Sequence, residues 1–289
     1  MIADIFVSGL VNGGVYALLA LGFSLIFGVA RIVNIAHTAF YMLAAYVLYA
    51  LIVRAGLPLA AAIPLAIVSV VALSMLCYKL VIEPVRQHES AVLIATIALA
   101  LIFQEGLLVS FGGSFLGIPN ALEGVASIFG VRVSYQRVMI LGAVALTLIA
   151  LWYLLSRTRL GLAIRVAAND QEIANLMGID VNRVAMLTVG ISVALAAIAG
   201  VVVAPVFVVD PLMWLAPLVT MLAIVVLGGL GSLKGSLIGA FIIGYVEAIT
   251  VFAVPAGSYL KGAVALSIMV IVLLIRPEGL FGVVFEEER

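Results

Sequence analysis

Apolar residues dominate the chain in long runs that short polar islands interrupt, rather than alternating with polar ones. Nine runs stand out, at roughly 5–29, 38–53, 57–78, 91–111, 137–155, 184–209, 215–229, 236–253 and 260–275. A run of about 20 apolar residues matches the roughly 30 Å hydrocarbon core of a bilayer. Period-2 patterning is nearly absent, so the spans are helices and not the strands of a barrel. The pattern predicts an all-α polytopic membrane protein with about 8–10 transmembrane helices, some broken or re-entrant, in a single domain over residues 1–289. Nine crossings would put the two termini on opposite sides. The first run passes straight into the body of the protein, and no cleavable signal peptide is evident.

The polar positions inside these runs carry the interest. Asn12 and Tyr16 lie four apart on one face of the first helix, among Gly13, Gly14, Gly22 and Gly28. Small residues there serve close helix packing in lipid, while Asn12 and Tyr16 offer hydrogen bonds to a neighbour or a solute. Next comes a short polar knot, Arg31 to Thr38, in which Asn34 and His37 are costly unless they face protein, water or the interface. Two readings stand: a tight cytoplasmic turn, or a helix break that presents backbone groups and a helix end to a solute. Glu247 sits within the eighth run and is either an intramembrane site or an interfacial residue, and Glu105 in the fourth run has room to snorkel outward. On the break reading Asn12, Tyr16, Asn34, His37, Thr38 and Glu247 are the candidate pathway residues.

One polar island is long. Ser156–Arg183 holds seven of the chain's 28 charged residues. Asn169 as N-cap, Glu172 three residues on and Gly178 as a left-handed stop predict a short capped helix. Ile173, Leu176 and Met177 at i, i+3 and i+4 give that helix one apolar face. Such an element either docks on a partner or lies on the protein's own helix ends.

Charge settles the expected sidedness. Arg31, Lys79, Arg86, Arg157, Arg159, Arg165, Arg183, Lys234, Arg276 and Arg289, ten of the 14 Lys and Arg, fall in one set of loops, and four fall in the other. By the positive-inside rule the first set is cytoplasmic, which places Ser156–Arg183 and the C-terminus inside and the N-terminus outside. The composition, 66% hydrophobic and 10% charged with mean hydropathy +1.38, excludes a soluble protein, and the net charge of zero says nothing of partners. Cys77 is the single cysteine, so there is no intrachain disulfide. The Gly-rich stretch 228–244 lacks the Gly-Lys-Ser/Thr order of a phosphate-binding loop, because Leu233 precedes Lys234 and Gly235 follows it. Gly235, Gly239, Ala240 and Gly244 form a packing stripe instead.

Three ordered motifs then carry a resemblance over the whole chain. VNGGVYALLALGFSLIFGVARIVNIAHTAFYMLAAYV resembles the opening of the permease subunits of high-affinity branched-chain amino acid ABC importers. The island, with Gly161, Arg165, Ala168, Asn169, Ala174, Gly178 and Ile179, is similar to that family's ATPase-contacting loop. VLGGLGSLKGSLIGAFIIGYVEA and RPEGLFG resemble its last third. Thr38 departs from the glycine that many relatives carry after the histidine.

The resemblance implies a permease in the cytoplasmic membrane that pairs with a second, identical or paralogous permease, two cytoplasmic ATP-binding subunits and an extracytoplasmic solute-binding protein. It implies no bound cofactor in this chain, ATP being hydrolysed by the partners, and no nucleic acid. Arg165, Asn169, Asp170, Glu172, Ile173, Leu176, Met177 and Gly178 would form the ATPase-coupling surface within 156–183. Branched-chain or related hydrophobic amino acids are the implied solutes, with urea and short amides, aromatic acids or dicarboxylates as alternatives from the same broad family. Two other classes compete. A stand-alone secondary transporter would relay protons through Glu105, Glu247 and His37, but has no need of a capped apolar-faced cytoplasmic helix. An intramembrane enzyme would need a nucleophile and base or a metal cluster, whereas His37 and His88 are the only histidines.

Overall fold

The computed structural model describes residues 2–119, 124–128 and 131–281. The long apolar runs become helices: α1 (Ile2–Ala30), α2 (His37–Tyr49), α3 (Leu59–Cys77), α4 (Glu89–Phe111), α5 (Tyr135–Arg157), α8 (Val181–Val203) and α10 (Leu233–Ala253). Two shorter apolar helices, α9 (Leu215–Gly228) and α11 (Lys261–Ile275), complete the nine expected from the sequence. At 1.5 Å per residue these two are only about 21–23 Å long, shorter than the seven helices long and apolar enough to cross a membrane. The polar island forms two helices, α6 (Arg159–Asn169) and α7 (Gln171–Leu176). An antiparallel hairpin, β1 (Val125–Ile128) with β2 (Val131–Ser134), pairs Val125 with Ser134 and Ile128 with Val131 in the loop before α5. That loop reads as irregular in sequence, and residues 120–123 and 129–130 lie outside the described residues.

The helices alternate between the two ends of the bundle. The C-terminal end of α1, the start of α4, α6 and the loop before α10 meet around one cleft with Phe281. Leu280 and Phe281 donate their backbone N–H groups to the carbonyls of Leu227 and Gly228 (2.8 and 3.1 Å), bringing the chain after α11 to the same end. At the other end Arg54 donates to the Ser110 carbonyl (3.3 Å), and Leu116 and Val209 exchange two backbone bonds. The Arg-rich loops thus gather at one end, as the charge pattern requires.

Close packing explains the glycines in α1, α8 and α10. A Cβ on Gly244 would collide with the backbone of Gly13 across α1 and α10, and one on Gly200 would collide with the Tyr41 carbonyl across α8 and α2. With no hydrophobic drive between helices in lipid, such backbone approach is what holds the bundle together. α1 and α8 are its most enclosed long spans and α5 the least.

Candidate functional site

Two regions bring the sequence-predicted residues together. The first is the start of α2. Arg31 adopts a left-handed backbone (φ 55°) and ends α1, and the segment 31–36 carries no helix. α2 begins well inside the bundle, not at the surface. The His37 imidazole lies beside Gly22, eight residues and about 12 Å before the end of α1. Its Nε2 lies 3.2 Å from the Leu19 carbonyl, while the Ser192 hydroxyl from α8 donates to the Gly22 carbonyl. The Arg31–Thr38 knot therefore leads the chain back into the bundle, and α2 starts beside Gly22 of α1 rather than beyond its end.

Asn34, His37 and Thr38 are almost fully buried there. Among the described residues, both amide atoms of Asn34, Nδ1 of His37 and the Thr38 hydroxyl have no hydrogen-bond partner. Ala36, at the N-cap, supplies no side-chain cap. A buried helix start with this many unsatisfied polar atoms is costly, at about 1–3 kcal/mol for each group.

Asn12 and Tyr16 do not join this cluster, although the sequence groups them with it. Both are half-buried farther along α1, and the Tyr16 hydroxyl donates to Glu247 Oε2 at 2.8 Å. The Thr220 hydroxyl of α9 reaches Glu247 Oε1 at 3.5 Å. Glu247, on α10, is buried against α1 and α9. Thr220 was not singled out by sequence reasoning; a lone threonine in an apolar helix gives no signal until its partner is known. Glu105 is exposed on α4 and bonds Gln104 Nε2 (3.1 Å). No hydrogen bond among the described residues joins Glu105, Glu247 and His37 into a relay.

The second region is the island. The N-cap of α7 is Asp170 and not Asn169, which corrects the capping-box expectation. Asn169 is still helical and ends α6; the chain turns extended only at Asp170 (φ −151°, ψ 118°), whose carboxylate accepts from Glu172 N (2.8 Å) and Ile173 N (3.0 Å). Glu172 is then two residues after the cap, too near to reach back to it. α6 also escaped the sequence reading, although Thr158 caps it by accepting from Gly161 N (3.0 Å).

The C-terminal stop is as expected. Gly178 takes φ +79°, Ile179 N donates to Ala174 O (3.0 Å) and Gly178 N to Asn175 O (3.0 Å), the paired bonds of a Schellman motif. Between these caps the apolar face is turned outward: Ile173, Leu176 and Met177 are 51%, 88% and 68% exposed. Beside it lie two grooves. Leu162, Arg165, Val166, Asn169, Asp170 and Ile173 line one of about 410 Å³. The other, of about 540 Å³, takes Arg31, Arg86, Glu89 and Glu172 among its walls. The exposed apolar residues thus adjoin two grooves with charged walls.

Comparison with known proteins agrees with this architecture. The chain is 30% identical to the "High-affinity branched-chain amino acid transport system permease protein BraD" of Pseudomonas aeruginosa, over 96% of this chain and 94% of the relative. It is 28% identical to the LivH permease protein of the same kind of system in Escherichia coli, over 95% and 94%. The solved structure "PsaBC from Streptococcus pneumoniae in complex with Fab" has a chain of the same fold, with a TM-score of 0.55 at 16% identity, over 96% of this chain and 97% of that one. A family model described as "Branched-chain amino acid transport system / permease component" matches residues 5–273, and the chain belongs to that family of multi-pass membrane proteins.

Proposed function

We propose that this chain is a transmembrane permease subunit of an ABC importer, carrying branched-chain or related hydrophobic amino acids across the cytoplasmic membrane. The observation that carries the reading is α7, capped at both ends with three apolar side chains facing outward on a polar island. Burying those side chains in a partner's groove would contribute several kcal/mol, at roughly 25 cal/mol per Å² of apolar surface. The partner is a separate cytoplasmic ATPase; Arg165, Asp170 and Glu172 set the rim of the contact. Two ATPases bind beneath two permeases, and an extracytoplasmic protein delivers the solute from above. ATP closes the ATPases, draws the two islands together and switches the pathway between its two openings. This chain binds no cofactor; the ATP is hydrolysed by its partners. The amino acid as solute rests on the kinship with BraD and LivH, whose names state it.

The orientation follows from the ten-to-four split of Lys and Arg, with the island inside. A cysteine at Arg157, in a Cys77→Ser background, resists impermeant thiol reagents in intact cells; rapid labelling would reverse the orientation. The function is tested by reconstituting the permease with its ATPases and binding protein in proteoliposomes. ATP-dependent leucine uptake, with the ATPase co-purifying on the permease, is the expected result. A permease that moves leucine without any ATPase would return the chain to the secondary-transporter class.

A further inference from the structure

A side-chain hydrogen bond joins α7 to the end of α1. Gln171, the first residue of α7, donates from Nε2 to the carbonyl oxygen of Val29 at 2.7 Å, across 142 residues of sequence. Val29 lies in the last turn of α1, where carbonyls have no intrahelical donor. It is also buried, so its oxygen depends on a donor from elsewhere in the protein. Arg31 N closes the last backbone bond on Phe27 O (3.0 Å), and the chain then leaves the helix toward Asn34, His37 and Thr38. The link therefore attaches α7 to α1 two residues before the left-handed turn that opens the break.

The surroundings make the attachment stiff. Asp170 fixes the start of α7 by two bonds, so the Gln171 Cα cannot wander. α1 also packs against α6, and the space beside Gly28 opens toward Ala168 and the Gly231 carbonyl. Even a Cβ added at Gly28 would reach Ala168 no closer than ordinary van der Waals range, so nothing interlocks there. The Gln171 bond is directional, and it cannot slide without breaking. Gln171 itself is half-buried and makes no part of the exposed apolar ridge.

We infer that Gln171 is a positioning residue for energy coupling: it ties the ATPase-docking helix to the end of α1 and transmits its displacement to the α1–α2 break. The inference rests on the importer reading above and adds the element that carries motion from α7 into the membrane. It separates docking from transmission, because Ile173, Leu176 and Met177 serve the first and Gln171 the second.

The experiment uses the complete reconstituted importer and reads leucine moved per ATP hydrolysed, together with ATPase retention on purified complex. Gln171→Ala and Gln171→Glu are expected to keep the ATPase and its basal hydrolysis and to lower the transport-to-hydrolysis ratio about tenfold, within the range of known coupling energies. Gln171→Glu is the sharper variant, since it keeps the shape and replaces the donor by an acceptor facing a carbonyl. Gln171→Lys restores a donor and is expected to recover most of the ratio. A wild-type ratio in Gln171→Glu overturns the inference, as does loss of the ATPase from that variant, which would make Gln171 a docking residue. Failure of Gln171→Lys to recover the ratio overturns it as well. The wild-type complex, measured alongside, tests the importer reading itself: with no ATP-driven uptake there, both fall, whereas a coupled wild type with a coupled Gln171→Glu removes this link alone.

Discussion

Two helix starts in this protein are built in opposite ways. α7 begins in water, and the Asp170 carboxylate satisfies two of its free N–H groups. α2 begins inside the bundle with no side-chain cap, although the polar side chains of Asn34 and Thr38 flank its first turn and go unpartnered. In water a missing cap is cheap to tolerate, yet it is present; in the interior it is expensive, yet it is absent. The difference teaches that α7 is finished as a structural unit, whereas the start of α2 holds polar groups in reserve at a standing cost. On the importer reading proposed above, the first serves docking and the second the solute.

The contrast can be broken most severely at Gly22. Its Cβ would lie 2.9 Å from the His37 ring and the Ser192 carbonyl, so Gly22→Leu forces α2 away from α1 and α8. Overpacking of this kind is expected to cost about 3 kcal/mol, which thermal unfolding of the detergent-solubilised chain will register as loss of the folded species. Gly178→Val comes next. Space at Gly178 is open, so the cost of about 2 kcal/mol arises from the left-handed backbone alone and stays local to the end of α7. The permease should remain folded and fail to retain its ATPase on co-purification; normal retention and uptake would remove α7 from coupling.

Asn34→Leu sharpens the contrast in the other direction. Because the Asn34 amide has no partner, an apolar replacement of similar size is expected to stabilise the chain by about 1–2 kcal/mol in thermal unfolding while reducing leucine uptake. Destabilisation with unchanged uptake would show that the amide is satisfied and structural. The smallest effects belong to the caps. Asp170→Ala should weaken the α7 fold by about 1 kcal/mol, detectable as faster hydrogen exchange at Glu172 and Ile173. Glu172→Ala, with no capping bond to lose, should leave that exchange nearly unchanged.

Much of this was legible in the chain. The nine apolar runs became nine apolar helices among the described residues, seven of them long enough to span a bilayer, because hydropathy is written in neighbouring residues. The Gly178 stop and the Ile173, Leu176, Met177 face were legible because they depend on neighbours in sequence. The N-cap slipped by one residue, since Asn169 and Asp170 are both good caps and only the three-dimensional exit of α6 decides between them. The Tyr16–Glu247–Thr220 group and the Gln171–Val29 bond were not legible at all. Each joins residues on different helices, and no local rule of spacing reports which helix faces which. Packing also split the predicted pathway residues, leaving Asn34, His37 and Thr38 together and drawing Tyr16 to Glu247.

The brevity of α7 has a thermodynamic consequence. Six residues are too few to persist as a helix in isolation, because nucleation is unfavourable and there is little propagation to offset it. Here Asp170 at one end, the Schellman bonds at the other and the Gln171 anchor hold the segment in shape before any partner arrives. Ordering a backbone costs about 1–2 kcal/mol per residue, so roughly 6–12 kcal/mol of ordering is met when the permease folds and not when it associates. A preorganised ridge of this kind binds with little loss of chain entropy, so even a small apolar contact can hold a partner.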